Sequence, residues 1–214
     1  MAKYLILGAG RLGGTLGRRL ADLGHDVVFH VPDPDAAKYA DARDHTRVTL
    51  AKAGSAPPDN CAMTFIATPM DATQGAVAGL GDMAGKVVVD CTNPVTFGNA
   101  GMALAIDANT SATRMIAEWL PGAHVLKSYN PVGSDVLANT ASLTPTPIMG
   151  VAGDDASAKT ALMALAGNLG FDPIDAGGLE NARLLEAFAL LWMGQAFASG
   201  NPAGFAFGRA EKPR

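Results

Sequence analysis

Residues 4–30 run YLILGAGRLGGTLGRRLADLGHDVVFH. Tyr4–Leu7 has the continuous apolar character of a strand buried on both faces. Gly8, Gly10 and Gly13 then complete a G-x-G-x-x-G turn. Leu12, Leu16, Leu20 and Leu23 recur at three- and four-residue spacing, one stripe of a helix, with Gly24 as its C-cap. A second strand, Val27–Val31, follows. Strand, glycine turn, helix and strand in that order separate a dinucleotide-binding turn from an ordinary glycine-rich one. Gly8 permits the tight turn, Gly10 lets a pyrophosphate approach the backbone, and Gly13 lets helix and strand pack closely. The amides from Arg11 to Gly13 would then face the anion.

Working outward, apolar runs recur at Ala62–Thr68, Val87–Cys91, Val125–Ser128 and Ile148–Val151, with Phe171–Asp175 as a last strand. Helical stretches are expected over about 71–80, 110–120 and 154–169. Strands alternating with helices predict an α/β fold of the Rossmann type, a doubly wound, mostly parallel sheet with helices on both faces and a helical C-terminal extension. We expect one domain over residues 1–214, with a dinucleotide-binding core over 1–152 and a helix–strand–helix extension over 153–214. Ala138–Pro147 reads as a loop, and Arg209–Arg214 is expected to fray. Leu179–Phe197 is apolar on nearly every side, which predicts burial within the fold or against a second copy, and hence a homodimer.

The net charge of −4 argues against general nucleic-acid binding, which needs a basic face. No apolar run approaches the roughly 18 residues of a membrane span. Together with a start that runs directly into a strand, this predicts a soluble, cytoplasmic protein without a membrane partner. Cys61 and Cys91 fall at opposite ends of two expected parallel strands, roughly 20 Å apart at about 3.3 Å per residue, too far for a disulfide. They form neither a CxxC pair nor a metal cluster, so no metal is expected.

In an open α/β sheet, ligands bind outside the carboxyl ends of the strands. Those ends here carry His30-Val31, Thr68-Pro69-Met70, Thr92-Asn93-Pro94 and Lys127-Ser128-Tyr129-Asn130. An acidic residue after the second strand grips the ribose of NAD, and an arginine there suits the phosphate of NADP. Val31 does neither. Asp33 is placed to reach a ribose, and His30, Lys38, Arg43 or Arg47 to reach a phosphate, so NADP and NAD both stay open. The tyrosine–lysine pair of short-chain dehydrogenases is missing, and His25 and His124 read as structural. Without an evident acid–base residue, hydride transfer to a small-molecule redox carrier is easier to support than alcohol oxidation. The alternative is a dinucleotide-binding sensor without catalysis.

These blocks resemble the family of NADP oxidoreductases that depend on the deazaflavin coenzyme F420, and are similar to the reductase domain of the STEAP metalloreductases. The resemblance rests on the glycine loop, Gly24-His25-Asp26-Val27-Val28, Ala67-Thr68-Pro69, Asp90-Cys91-Thr92-Asn93-Pro94 and Leu126-Lys127-Ser128-Tyr129-Asn130. It continues through Ala152-Gly153-Asp154-Asp155, Gly170–Gly177, Leu179 and Ala182–Glu186. It implies that Gly8, Ala9, Gly10, Arg11, Leu12 and Gly13 hold the pyrophosphate and that Ala67, Thr68, Pro69 and Met70 flank the adenosine side. It also implies that Asn93 and Pro94 lie near the nicotinamide, and that a flavin or deazaflavin ring stacks there to exchange a hydride. Lys127 and Asn130 are the candidate catalytic residues, and His30, Val31 and Asp33 the candidate contacts to the adenosine end. Three positions, in two places, depart from the family. Val31 and Pro32 stand where its deazaflavin enzymes carry a Ser-Arg phosphate clamp, and Asn130 stands where they tend to carry a histidine.

Overall fold

The computed structural model describes residues 1–98, 101–198, 200, 204–210 and 212. In chain order it forms β1 (Lys3–Leu7), α1 (Arg11–Asp22), β2 (Asp26–Val31), α2 (Ala40–Arg43), β3 (Val48–Lys52), β4 (Cys61–Ile66), α3 (Met70–Ala78) and β5 (Val87–Asp90). These are followed by β6 (Val95–Gly98), β7 (Gly101–Leu104), α4 (Ala112–Trp119), β8 (His124–Lys127), α5 (Ser134–Ala138), β9 (Ile148–Val151), α6 (Ala156–Asn168), β10 (Asp172–Asp175) and α7 (Ala182–Ala198). Six strands make one parallel sheet in the order β3-β2-β1-β4-β5-β8. The order reverses between β1 and β4, the switch point beside which open sheets of this kind bind ligands at the C-terminal strand ends.

Alternation along β1 divides the core. Tyr4 and Ile6 join Leu16, Leu20, Phe29 and Phe65 on the α1 side. Leu5 and Leu7 join Ile66, Val88, Ile116 and Val125 on the other. Covering both faces is what demands the unbroken apolar runs. The edge strand β3 was not legible in this way, because its burial is only partial and its composition mixed. The hairpin β6–β7, antiparallel and directly after Pro94, was also not expected.

The sequence expectation fails in two places. Ile148–Val151 and the last strand do not extend the main sheet. As β9 and β10 they pair with each other in parallel, and a single antiparallel bridge, Lys127 to Ala152, ties β9 to β8. The continuous helix expected over 179–197 is a 3-10 turn at Leu179–Asn181 followed by α7. One face of α7 is buried through Ala182, Leu185, Glu186, Ala189, Trp192 and Ala196, while Leu184, Leu191 and Phe197 are exposed. Before the tail expected to fray, the chain is held against β9, and Arg209, its first residue, is tied to the strand beside it. The Ile148 N–H donates to the Phe207 carbonyl, Gly208 bridges Pro147, and Arg209 pairs with Asp172 at 2.9 Å. Residues 211, 213 and 214 of that expected tail lie outside the described residues.

Cys61 opens β4 beside Lys3, whereas the Cys91 N–H bonds the Ile66 carbonyl at the strand's far end, and both thiols are free. Among the described residues no helix is long and apolar enough to cross a membrane, and no group of His, Cys, Asp and Glu could hold a metal ion.

Candidate dinucleotide-binding site

The glycine turn shows three different uses of a missing side chain. Gly8 has φ +93°, its N–H bonds the His30 carbonyl at 3.0 Å, and a Cβ there would meet the Ala67 carbonyl oxygen at 2.8 Å. A Cβ on Gly13 would collide with the Gly8 carbonyl oxygen. These two glycines pack β1, α1 and the end of β4 together. At Gly10 nothing lies within 4 Å of an added Cβ, and its φ of −75° is open to any residue. Open space above the backbone at that one glycine is the room a pyrophosphate needs.

Gly10 is the N-cap of α1 and supplies no side-chain acceptor, and no acidic residue stands in the first turn. The N–H groups at the start of this twelve-residue helix therefore keep their capacity for an anion. The residues present thus fit a dinucleotide diphosphate over Ala9, Gly10, Arg11 and Leu12.

On the β4 side, the Ala67 N–H bonds the Leu7 carbonyl at 2.9 Å. The Thr68 hydroxyl lies 2.9 Å from that of Thr73, which donates to the Pro69 carbonyl. The Thr92 hydroxyl donates to Met70 Sδ at 3.7 Å, so the ends of β4 and β5 form one rim.

At the β5 and β8 ends, two asparagines interlock. Asn93 Nδ2 donates to the Asn130 carbonyl at 2.9 Å, and Asn130 Nδ2 donates to Asn93 Oδ1 at 3.2 Å and to the Leu185 carbonyl at 2.9 Å. The two acceptors on Nδ2 fix which way the Asn130 amide faces. Asn130 is 2% exposed and its Oδ1 has no partner. The preceding Tyr129 takes φ +59°, a left-handed conformation costly for a non-glycine and found where a site needs a particular chain direction. Tyr129 is wholly buried, and burial pushes its hydroxyl pKa well above the usual value.

Lys127 is not a group that can touch a substrate. Its side chain is 0% exposed, and Nζ lies 2.6 Å from the Thr92 carbonyl oxygen, 2.9 Å from Asp90 Oδ2 and 3.4 Å from Glu186 Oε1. Asp90 in turn accepts from the Thr92 N–H at 2.8 Å and the Thr113 hydroxyl at 2.7 Å. Glu186 Oε1 accepts from the Ala112 N–H at 2.9 Å, and burial raises the pKa of its carboxyl. Asp90, Thr113, Leu185 and Glu186 were not legible as site residues, because nothing local in the sequence distinguishes a buried ion pair from a solvated one.

The adenosine end departs further from expectation. Val31 is completely buried in the α1 core cluster, so its side chain is no cofactor contact. His30 is buried, its Nε2 lacks a partner, and burial lowers its pKa. It therefore offers no phosphate cation, and its part in the turn is the carbonyl that accepts from Gly8. Asp33 is exposed, with Oδ1 accepting from the Asp35 N–H. Arg43 bends back to the Pro34 and Ala36 carbonyls and shapes the same turn. Arg47 pairs with Asp26 at the start of β2, the wrong end of the strand. A cavity of about 300 Å³ on the flank of α1 touches Ala9 and Gly14 and is bordered by Arg18, Lys38 and Tyr39. It does not reach Asn93 or Asn130.

Residues 3–94 match the model of the family described as NADP oxidoreductase, coenzyme F420-dependent. The F420-dependent NADP reductase of Methanothermobacter thermautotrophicus is 27% identical over 204 residues, covering 87% of this chain and 88% of that protein. Metalloreductase STEAP3 of Rattus norvegicus is 25% identical over 190 residues, and this chain spans only 36% of its length. Among solved structures, a putative F420-dependent NADP reductase from Arthrobacter superposes with a TM-score of 0.85 at 27% identity, covering 98% of this chain and all of that one. A reductive aminase from Aspergillus terreus, solved with NADPH4, cyclohexanone and allyl amine, shares the fold at TM-score 0.65 and 17% identity over 94% of this chain and 63% of its own.

Proposed function

We propose that this chain is an NAD(P)-dependent oxidoreductase that exchanges hydride with a flavin or deazaflavin acceptor, a reading supported by the match of residues 3–94 to the coenzyme F420-dependent NADP oxidoreductase family model. One observation carries the reading: open space at Gly10 beside an uncapped helix start, between two glycines that admit no side chain. NADP is the expected cofactor, held at its diphosphate by Ala9–Gly13, with Ala67–Met70 on the adenosine side and Asn93 and Pro94 beneath the nicotinamide. A bound reduced nicotinamide would supply the hydride for a flavin or deazaflavin ring. The interlocked carboxamides of Asn93 and Asn130 are neutral, and hydride exchange asks of them no proton, only a fixed floor. Asp33 is proposed to face the adenosine ribose.

Titrating the protein with NADPH and NADH, and following nicotinamide absorbance with F420, FMN, FAD and ferric chelates, tests the assignment. Oxidation of NADPH by a flavin or deazaflavin is expected. Tight binding of NADPH without turnover by any acceptor would favour a non-catalytic sensor instead, a reading motivated by the burial of Lys127 and Asn130. We further place the protein in the cytoplasm as a homodimer, the second copy covering the exposed apolar residues of α7.

A further inference from the structure

The buried ions around Lys127 join parts of the chain that the hydride reaction itself does not call on. A buried ion pair gives no reliable gain in stability, since desolvation offsets the attraction. What this one does is geometric. The Thr92 peptide is held at both ends, its N–H by Asp90 Oδ1 and its carbonyl by Lys127 Nζ. Thr92 leads directly into Asn93. Lys127 is held in turn by Glu186, near the start of α7, whose Oε1 also caps the start of α4 through the Ala112 N–H. The residue before Glu186 offers its carbonyl to Asn130. Two neighbouring residues of α7 therefore grip both halves of the asparagine pair, Leu185 through Asn130 and Glu186 through Lys127 and Thr92.

We propose that Glu186 and Lys127 are positioning residues, a clasp by which the N-terminal part of α7 sets the Asn93–Asn130 floor under the nicotinamide. This rests on the dinucleotide reading above. The clasp acts only on the nicotinamide half of the ligand. The diphosphate is held by the glycine turn, which shares none of these bonds, and the adenosine side meets the clasp only through the Thr92 hydroxyl on Met70 Sδ.

That division supplies the test. The affinities of NADPH and of 2′-phospho-ADP-ribose, which lacks the nicotinamide, are measured by calorimetry on the intact protein and on Glu186→Gln and Lys127→Met, with thermal melting alongside. Glu186→Gln keeps the size and the acceptor oxygen and removes only the charge, so it is decisive where Lys127→Met fails to fold. The expected result is a loss of about tenfold in NADPH affinity with less than a twofold change for the fragment. Equal weakening of both ligands, or no change in either, overturns the clasp. If the wild-type protein binds neither ligand, it is the dinucleotide reading that fails.

Discussion

A methyl group added at Gly10 would meet open space, and one added at Gly8 would meet the Ala67 carbonyl at 2.8 Å. The two substitutions should therefore separate binding from folding. Gly10→Ala should leave stability within about 0.5 kcal/mol, as at a site with no close neighbour. It should weaken NADPH binding at least about tenfold, because the methyl fills the approach to the backbone. Gly8→Ala combines a left-handed φ with overpacking and should cost about 2 kcal/mol or more in denaturant melts. His30 gives a pH signature at the same scale. Its pKa is lowered by burial, so in acid the unfolded chain takes up a proton that the folded chain refuses. The stability held above the ordinary histidine pKa of 6.5 is lost as pH falls below it, and the loss levels off below the folded pKa. His30→Leu should flatten that acid limb in melting curves taken from pH 7 downward. An unchanged slope would place the protonation elsewhere, for instance at His25, whose pKa is also lowered by burial.

Within α1, three glycines look alike in the sequence and differ in the structure. Gly13 lies against the Gly8 backbone, and a Cβ on Gly17 would enter the ring of the buried Phe29. Gly14 meets nothing nearer than 3.4 Å. Gly14→Ala should therefore stabilise by up to about 1 kcal/mol through helix propensity, whereas Gly17→Ala should cost about 1–3 kcal/mol. Opposite shifts in the two melting temperatures are the expected outcome, and shifts of the same sign would refute the packing of α1 on β2. The same contrast explains what could be read in advance. The glycine turn, α1 and the central strands were legible because their signals are local, a fixed glycine spacing and continuous apolar runs that only two-sided burial produces. The partners of Lys127 were not, since Asp90 and Glu186 meet it only through the folding of β5, β8 and α7 together. Val31 looked like a strand-end contact because position along the chain does not tell which face of a pleat turns inward. The strands β9 and β10 were legible as strands but not as a separate pair, because pairing partners lie outside any local window.

Across the whole molecule, α7 carries two obligations on different sides. Its buried side holds Glu186 and Leu185 against the floor of the site, and Trp192 Nε1 donates to the Phe205 carbonyl at 3.0 Å, tying the returning tail to it. Its outer side leaves Leu184, Leu191 and Phe197 exposed, and Phe197 meets the exposed Phe97 of the β6–β7 hairpin edge to face at 6.5 Å. Apolar residues gathered in this way on one helix and the hairpin beside it are a surface that association would cover. Leu191, 53% exposed, contributes little to the isolated fold, so a charge there should act on association alone. Light scattering at micromolar concentration should give twice the 21.8 kDa chain mass for the wild-type protein and the single mass for Leu191→Glu, with melting of the variant monomer still cooperative. Because the N-terminal part of the same helix grips Asn130 and Lys127, loss of the dimer should also weaken NADPH more than 2′-phospho-ADP-ribose. A wild-type protein of single mass would show that this face is simply wet, and would leave the clasp to act within one chain.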